Sequence, residues 1–155
     1  VRLTEHTDYA LRTLIYLGVR DDRLTPVGEV AQAYGLSKNH LLKVANQLAA
    51  AGYVQTVRGN GGGLRLALPP EAINIGAVVR RMETDLNLVP CFCDGGGCRI
   101  ETGCVLRATL NAALRAFMAE LDRATLADLV KPRAMLKRLL GLQDAPAPSA
   151  SASPG

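Results

Sequence analysis

The stretch SKNHLLKVANQLAAAGYVQTVRGNGGGLRLAL, residues 37–68, decides the fold. Its first half is helical. Ser37 is a good N-cap, and Leu41, Leu42, Ala45, Leu48 and Ala49 recur at the spacing of one helix face. Asn39, His40, Lys43, Asn46 and Gln47 fall on the other, polar face. The second half changes period. Tyr53 to Arg58 and Leu64 to Leu68 alternate as strands do, and the Asn60-Gly61 step between them is expected to supply the positive φ angles of a tight hairpin. Glycine runs also cradle phosphates in nucleotide-binding loops, but no helix follows this one and no Gly-Lys-Ser/Thr triplet accompanies it.

Working outward, Thr25-Pro26 has the form of a cap followed by proline in the first turn of a helix. That helix runs through Val27, Val30 and Ala31 and stops at Gly35. A short helix, a glycine turn and a serine-capped helix make a helix-turn-helix, and a hairpin directly after it is a wing. Upstream, LTEHTDYALRTLIYLGVR (3–20) carries an apolar stripe of Tyr9, Leu11, Leu14, Ile15 and Leu17, with Thr4 or Thr7 as its cap. Downstream, Pro69-Pro70 breaks the chain before a helix bearing Ile75, Val78, Val79 and Met82.

From about Cys104 to Arg123 the pattern predicts a longer helix, about 30 Å at 1.5 Å per residue. Leu106, Leu110, Ala113, Leu114, Phe117 and Leu121 lie on one side of it. This stripe exceeds what a small winged helix covers by itself, and alanines at 108, 112, 113 and 116 permit close approach. Pairing with a second copy buries it most simply. Short helices follow near TLADLV and MLKRLL, and the low-complexity tail DAPAPSASASPG is expected to be disordered. The expectation is a mainly α homodimer with a small β wing: a winged helix-turn-helix at 1–83, a metal-binding loop at 84–104, a dimerisation helix and C-terminal helices at 105–142, and a tail at 143–155.

At 155 residues, 48% of them apolar, the chain has enough material for one proper core. No apolar run approaches a membrane span and no signal-peptide pattern opens it, which points to the cytoplasm, where thiols stay reduced. Two histidines and no nucleophile–base grouping leave little catalytic machinery, so an enzyme is not expected. The net charge is only +4, but it is concentrated: no acid lies between Glu29 and Glu71, whereas Lys38, Lys43, Arg58 and Arg65 do. A local positive field over a helix-turn-helix suits double-stranded operator DNA. Ser37, Lys38, Asn39, His40 and Lys43 then lie at the major groove. Asn39 is suited to adenine, and Lys38 or Lys43 to guanine or phosphate. Arg58 and Asn60 on the wing reach an adjacent groove or the backbone. A dimer implies near-palindromic half-sites about one helical turn apart.

All four cysteines stand in PCFCDGGGCRIETGC, residues 90–104. Cys91, Cys93, Cys98 and Cys104 match neither the paired knuckles of zinc sites nor the ferredoxin spacings. A zinc Cys₄ site and a Cys91/Cys93 thiol–disulfide switch stay open. So does an iron–sulfur cluster held by three thiolates and one weaker ligand.

Taken together, LTEHTDYALRTLIYL, LSKNHLLKVANQLAAAGYVQTVRGNGGGLRLA, INIGAVVR, LNLVPCF with the cysteine loop, and TLADLV closely resemble the NsrR family of nitric-oxide-sensing repressors, a branch of the winged-helix iron–sulfur regulators. The resemblance covers about residues 2–131. It implies that Cys91, Cys98 and Cys104 bind the cluster, with Cys93 competing for the first position, and that Asp8 of a second subunit is the fourth ligand. Without it, Asp8 is explained as a helix-dipole residue pairing with Arg12, and His6 is a nearby alternative ligand. The sister IscR-type regulators of cluster assembly place a histidine three residues after the last cysteine, where this chain has Arg107. The resemblance further implies a 4Fe-4S cluster, with 2Fe-2S also fitting three cysteines, and release of operator DNA when nitric oxide nitrosylates the cluster. The controlled genes would serve nitric-oxide detoxification. An IscR-like regulator, a zinc-stabilised DNA-binding protein and an electron carrier are the competing readings.

Overall fold

The computed structural model describes residues 1–93 and 97–142; the tail expected at 143–155 lies outside them. The element order is α1 (Glu5–Val19), α2 (Val27–Tyr34), α3 (Lys38–Ala50), β1 (Val54–Val57), β2 (Gly63–Leu66), α4 (Ile75–Met82), α5 (Val105–Asp122), α6 (Leu126–Leu129) and α7 (Arg133–Leu139). Three-residue 3-10 turns stand at Pro70–Ala72, Pro90–Phe92 and Glu101–Gly103. This is the expected mainly α winged helix with a two-stranded antiparallel sheet.

Local chemistry sets the ends of the helices. Thr4 caps α1 by accepting from the Thr7 N–H, and Gly35 ends α2 in the left-handed region, at φ 65°, where a side chain is disfavoured. Ser37 caps α3 through the His40 N–H. The core gathers around α1: Ala10, Leu14 and Leu17 pack with Val44, Ala45 and Leu48 of α3 and with Ile75, Val78 and Met82 of α4.

Three expectations are corrected. Thr25 does not cap α2, whose N-cap is Pro26 without a side-chain bond. Instead the Thr25 N–H donates to the Leu64 carbonyl at 2.8 Å and its carbonyl accepts the Leu64 N–H at 2.7 Å, so the chain before α2 lines the far edge of β2. A Cβ on Gly63 would sit 2.6 Å from the Thr25 carbonyl oxygen, which is why the wing re-enters the sheet on glycine. Second, the positive φ angles of the wing fall at Gly59 and Gly61, not Asn60, because the hairpin register Val57↔Gly63 leaves a five-residue turn rather than a two-residue one. Third, Leu42 is not a core residue. It is 41% exposed, and Val44 takes the buried position on α3.

Two of the contacts that fasten the C-terminal half lie at or beside α4. Ile75 N–H donates to the Ala124 carbonyl and Leu126 N–H to the Ile73 carbonyl, joining the starts of α4 and α6. Arg80 makes two 2.6 Å bonds to the Asp122 carboxylate, one to each oxygen. These hold the C-terminal end of α5, where Met118 is its one buried residue. Towards its other end α5 is little covered by the described residues, with Val105 77% and Leu106 64% exposed.

Candidate DNA-reading head and metal centre

The candidate reading head is α3 and the wing. Ser37, Lys38, Asn39, Leu42, Lys43, Asn46 and Gln47 are exposed along α3, and Arg58 and Asn60 are exposed on the wing. His40 is placed differently. It is half-buried, its ring 4.7 Å from that of Tyr9 and 5.8 Å from that of His6. His6 Nε2 in turn lies 2.6 Å from Gln47 Oε1, so the first turn of α1 is bonded directly to the C-terminal half of the reading helix. Sequence reasoning did not anticipate this junction, because nothing local to either residue signals the other.

The acid nearest in sequence before α3 is neutralised elsewhere. Glu29 accepts from the Tyr16 hydroxyl at 3.0 Å and pairs with Arg23. Burial, then this bond, pushes the Tyr16 hydroxyl up to about 12, so it stays a donor across the physiological range. On the wing, Arg65 Nε donates to Gln55 Oε1 at 3.0 Å, pinning that guanidinium across the hairpin.

All four thiols are free. Cys91 sits half-buried in the Pro90–Phe92 turn, and the adjacent exposed Cys93 accepts from Asn87 Nδ2 at 3.4 Å. Cys98 is exposed. Cys104 is the N-cap of α5, its sulfur accepting the Arg107 N–H at 3.3 Å. The Arg107 guanidinium pairs with Glu101 at 2.6 Å, closing the loop's last segment onto the helix. Among the described residues no three histidine, cysteine or acidic side chains converge as a metal-binding group. Asp8 pairs with Arg12 at 2.9 Å, and that guanidinium lies 5.7 Å over the Tyr34 ring. The donor set still suits iron and sulfur: unpaired soft thiols, with N–H donors aimed at two of the sulfurs.

Beside α5, a groove of about 360 Å³ is lined by Leu110, Leu114 and Phe117, with residues 86–89 and 1–3 forming its other walls. No helix among the described residues is long and apolar enough to cross a membrane.

A capped helix, a glycine-tipped wing and a helical body define a winged helix-turn-helix transcriptional regulator. The chain belongs to the Rrf2 family, described as iron-dependent transcriptional regulators, whose pattern matches residues 3–132. It is 47% identical over 146 residues to the HTH-type transcriptional regulator NsrR of Bacillus subtilis (strain 168), spanning 93% of this chain and 100% of that protein. Among solved structures it is similar to the oxidized form of Staphylococcus aureus CymR, with a TM-score of 0.67 and 26% identity, covering 84% of this chain and 97% of that one. It shares its fold with T. potens IscR at a TM-score of 0.67 and 24% identity, covering 95% and 94% of the two chains.

Proposed function

We propose that the chain is a nitric-oxide-responsive repressor that binds operator DNA as a homodimer while an iron–sulfur cluster is in place, and releases it on exposure to nitric oxide. The observation that carries this reading is the likeness to NsrR along 93% of the chain. The uncovered stripe on α5 supports the dimer, since a second copy is the simplest cover for it.

In this reading Cys91, Cys98 and Cys104 hold the cluster, and Asp8 from the second copy completes the set. When bound, the cluster supplies iron with open affinity for nitric oxide. The protein's part is to convert ligand exchange into helix movement. A carboxylate is a weaker partner for iron than a thiolate, so Asp8 is the bond most readily lost. Engaging it takes Asp8 from Arg12, and losing it lets Asp8 return to Arg12. Asp8 stands two residues from His6 and one from Tyr9, the side chains that touch Gln47 and His40 on α3. Movement of the first turn of α1 therefore reaches the reading helix through direct contacts. A coupling of about 3 kcal/mol between the two sites corresponds to roughly a 150-fold change in DNA affinity.

The test is anaerobic purification followed by iron and sulfide counts, an absorption spectrum and operator titration with and without nitric oxide. A four-iron form gives about four of each atom per chain, a two-iron form about half that. Operator binding that is equally tight in cluster-free and loaded protein contradicts the proposal.

A further inference from the structure

Leu42 stands on the solvent side of a helix whose other large apolar side chains are hidden. Leu41 is 2% exposed and Val44 and Leu48 are fully buried, whereas Leu42 is 41% exposed. A single exposed leucine is ordinary on a protein surface; its company makes this one informative. Asn39 lies three residues before it, Lys43 one after and Asn46 four after, and all are exposed. With the 3.6-residue repeat of α3 these side chains form one strip on the face turned away from α1 and the core. The strip therefore offers two amides, one ammonium and one branched hydrocarbon side by side.

The chemistry of a major groove has a counterpart for each. Amides pair with adenine and an ammonium with guanine or phosphate, but the C5-methyl of thymine offers no hydrogen bond and is matched only by an apolar group. We propose that Leu42 is a specificity-determining residue that reads the C5-methyl of one thymine in each operator half-site. The proposal rests on the DNA-binding reading of α3 and adds the base it selects. Leu42 lies apart from the exposed apolar residues of the C-terminal helices, Val105, Leu106 and Phe117 on α5 and Met135 and Leu139 on α7; Val57 of the wing and Leu68 after it are the other exposed apolar residues near the reading head.

The experiment uses the full chain, purified anaerobically, as wild type and as Leu42→Ala. Each protein selects binding sites from duplexes carrying about 24 random base pairs, enough for two half-sites one turn apart. The expected result is a symmetry-related pair of thymines enriched by the wild type and not by Leu42→Ala. Replacing those thymines by uracil, which lacks only the methyl, should weaken wild-type binding about 15-fold, about fourfold per methyl. The same replacement should change Leu42→Ala less than about twofold. Because Leu42 packs into no core cluster, the variant should keep the wild-type melting temperature and salt dependence. Enrichment of the same thymines by both proteins, or equal wild-type affinity for the uracil duplex, overturns the proposal. Failure of both proteins to enrich any sequence overturns the DNA-binding reading itself, and is distinguishable from either of those results.

Discussion

His6 and Gln47 meet at 2.6 Å across the junction of α1 and α3. The amide oxygen only accepts, so the imidazole Nε2–H donates, and the same ring stacks beside His40 of the reading helix at 5.8 Å. A hydrogen bond of this kind is worth about 0.5–1.5 kcal/mol, or about two- to tenfold in an equilibrium. His6→Ala and Gln47→Ala should each weaken operator binding by the cluster-loaded protein within that range while leaving iron content unchanged. The double variant should be no weaker than either single one, as partners in one contact are not additive. Fluorescence anisotropy titrations measure all four proteins; additive losses would mean the two residues act separately.

Cys91 and Cys93 differ in setting although they are two positions apart. Cys91 is half-buried in the Pro90–Phe92 turn, while Cys93 is exposed. Replacement of Cys91, Cys98 or Cys104 by alanine should abolish the bound iron and sulfide, and Cys93→Ala should retain them. Iron and sulfide assays on anaerobic preparations decide the matter. Loss in Cys93→Ala together with retention in Cys91→Ala would move the first ligand to Cys93.

What was legible in the residues follows the range of the interaction that specifies them. Gly35 and Ser37 announce the turn and the start of α3 because a left-handed residue and a side-chain cap act within three positions. Leu42 and Val44 could not be sorted the same way. Both are apolar, and which one is buried depends on where α1 lies against α3. Thr25 has every local property of a cap, yet its backbone is recruited by Leu64, 39 positions away. In the wing, Asn60-Gly61 marks a turn correctly, but the pairing of Val57 with Gly63 sets its length and moves the strained angles to glycines. The cysteines are visible in the chain; Asn87 and the Arg107–Glu101 pair beside them depend on how the loop folds back.

Asp128 closes a capping box at the start of α6. Its carboxylate accepts from Lys131 Nζ at 2.7 Å and from the Thr125 N–H and hydroxyl at 2.9 and 3.1 Å. The Lys131 bond first, then those from Thr125, lowers its pKa from 3.8 to about 2. The folded value lies below the unfolded one, so the stabilisation is fully present above the unfolded pKa and is lost as pH falls through the folded one. The melting temperature should therefore fall as pH drops from about 4 to about 2. Asp128→Asn should melt lower at neutral pH and show a flatter profile in that window. The flattening is incomplete because Asp122, lowered by its bonds from Arg80, acts with the same sign. An unchanged acid profile in Asp128→Asn would remove the capping box from the acid response.

Lys43 and Asn39 sit on the same exposed strip of α3 but should fail in different ways. An ammonium on a phosphate contributes through counterion release, about 0.9 in the slope of log affinity against log salt for each phosphate neutralised. A dimer carries two copies, so Lys43→Ala should flatten the slope by about 1.8 from an expected value of about −7, weakening all sequences alike. That value counts Lys38, Lys43, Arg58 and Arg65 from both copies. Asn39→Ala removes a neutral amide, so it should leave the slope alone and cost about 1–3 kcal/mol of discrimination at an adenine. Titrations at several salt concentrations, against the selected site and a scrambled duplex, separate the two. A slope that Lys43→Ala leaves unchanged would take that lysine off the phosphate backbone and leave it pointing at a base edge or at water.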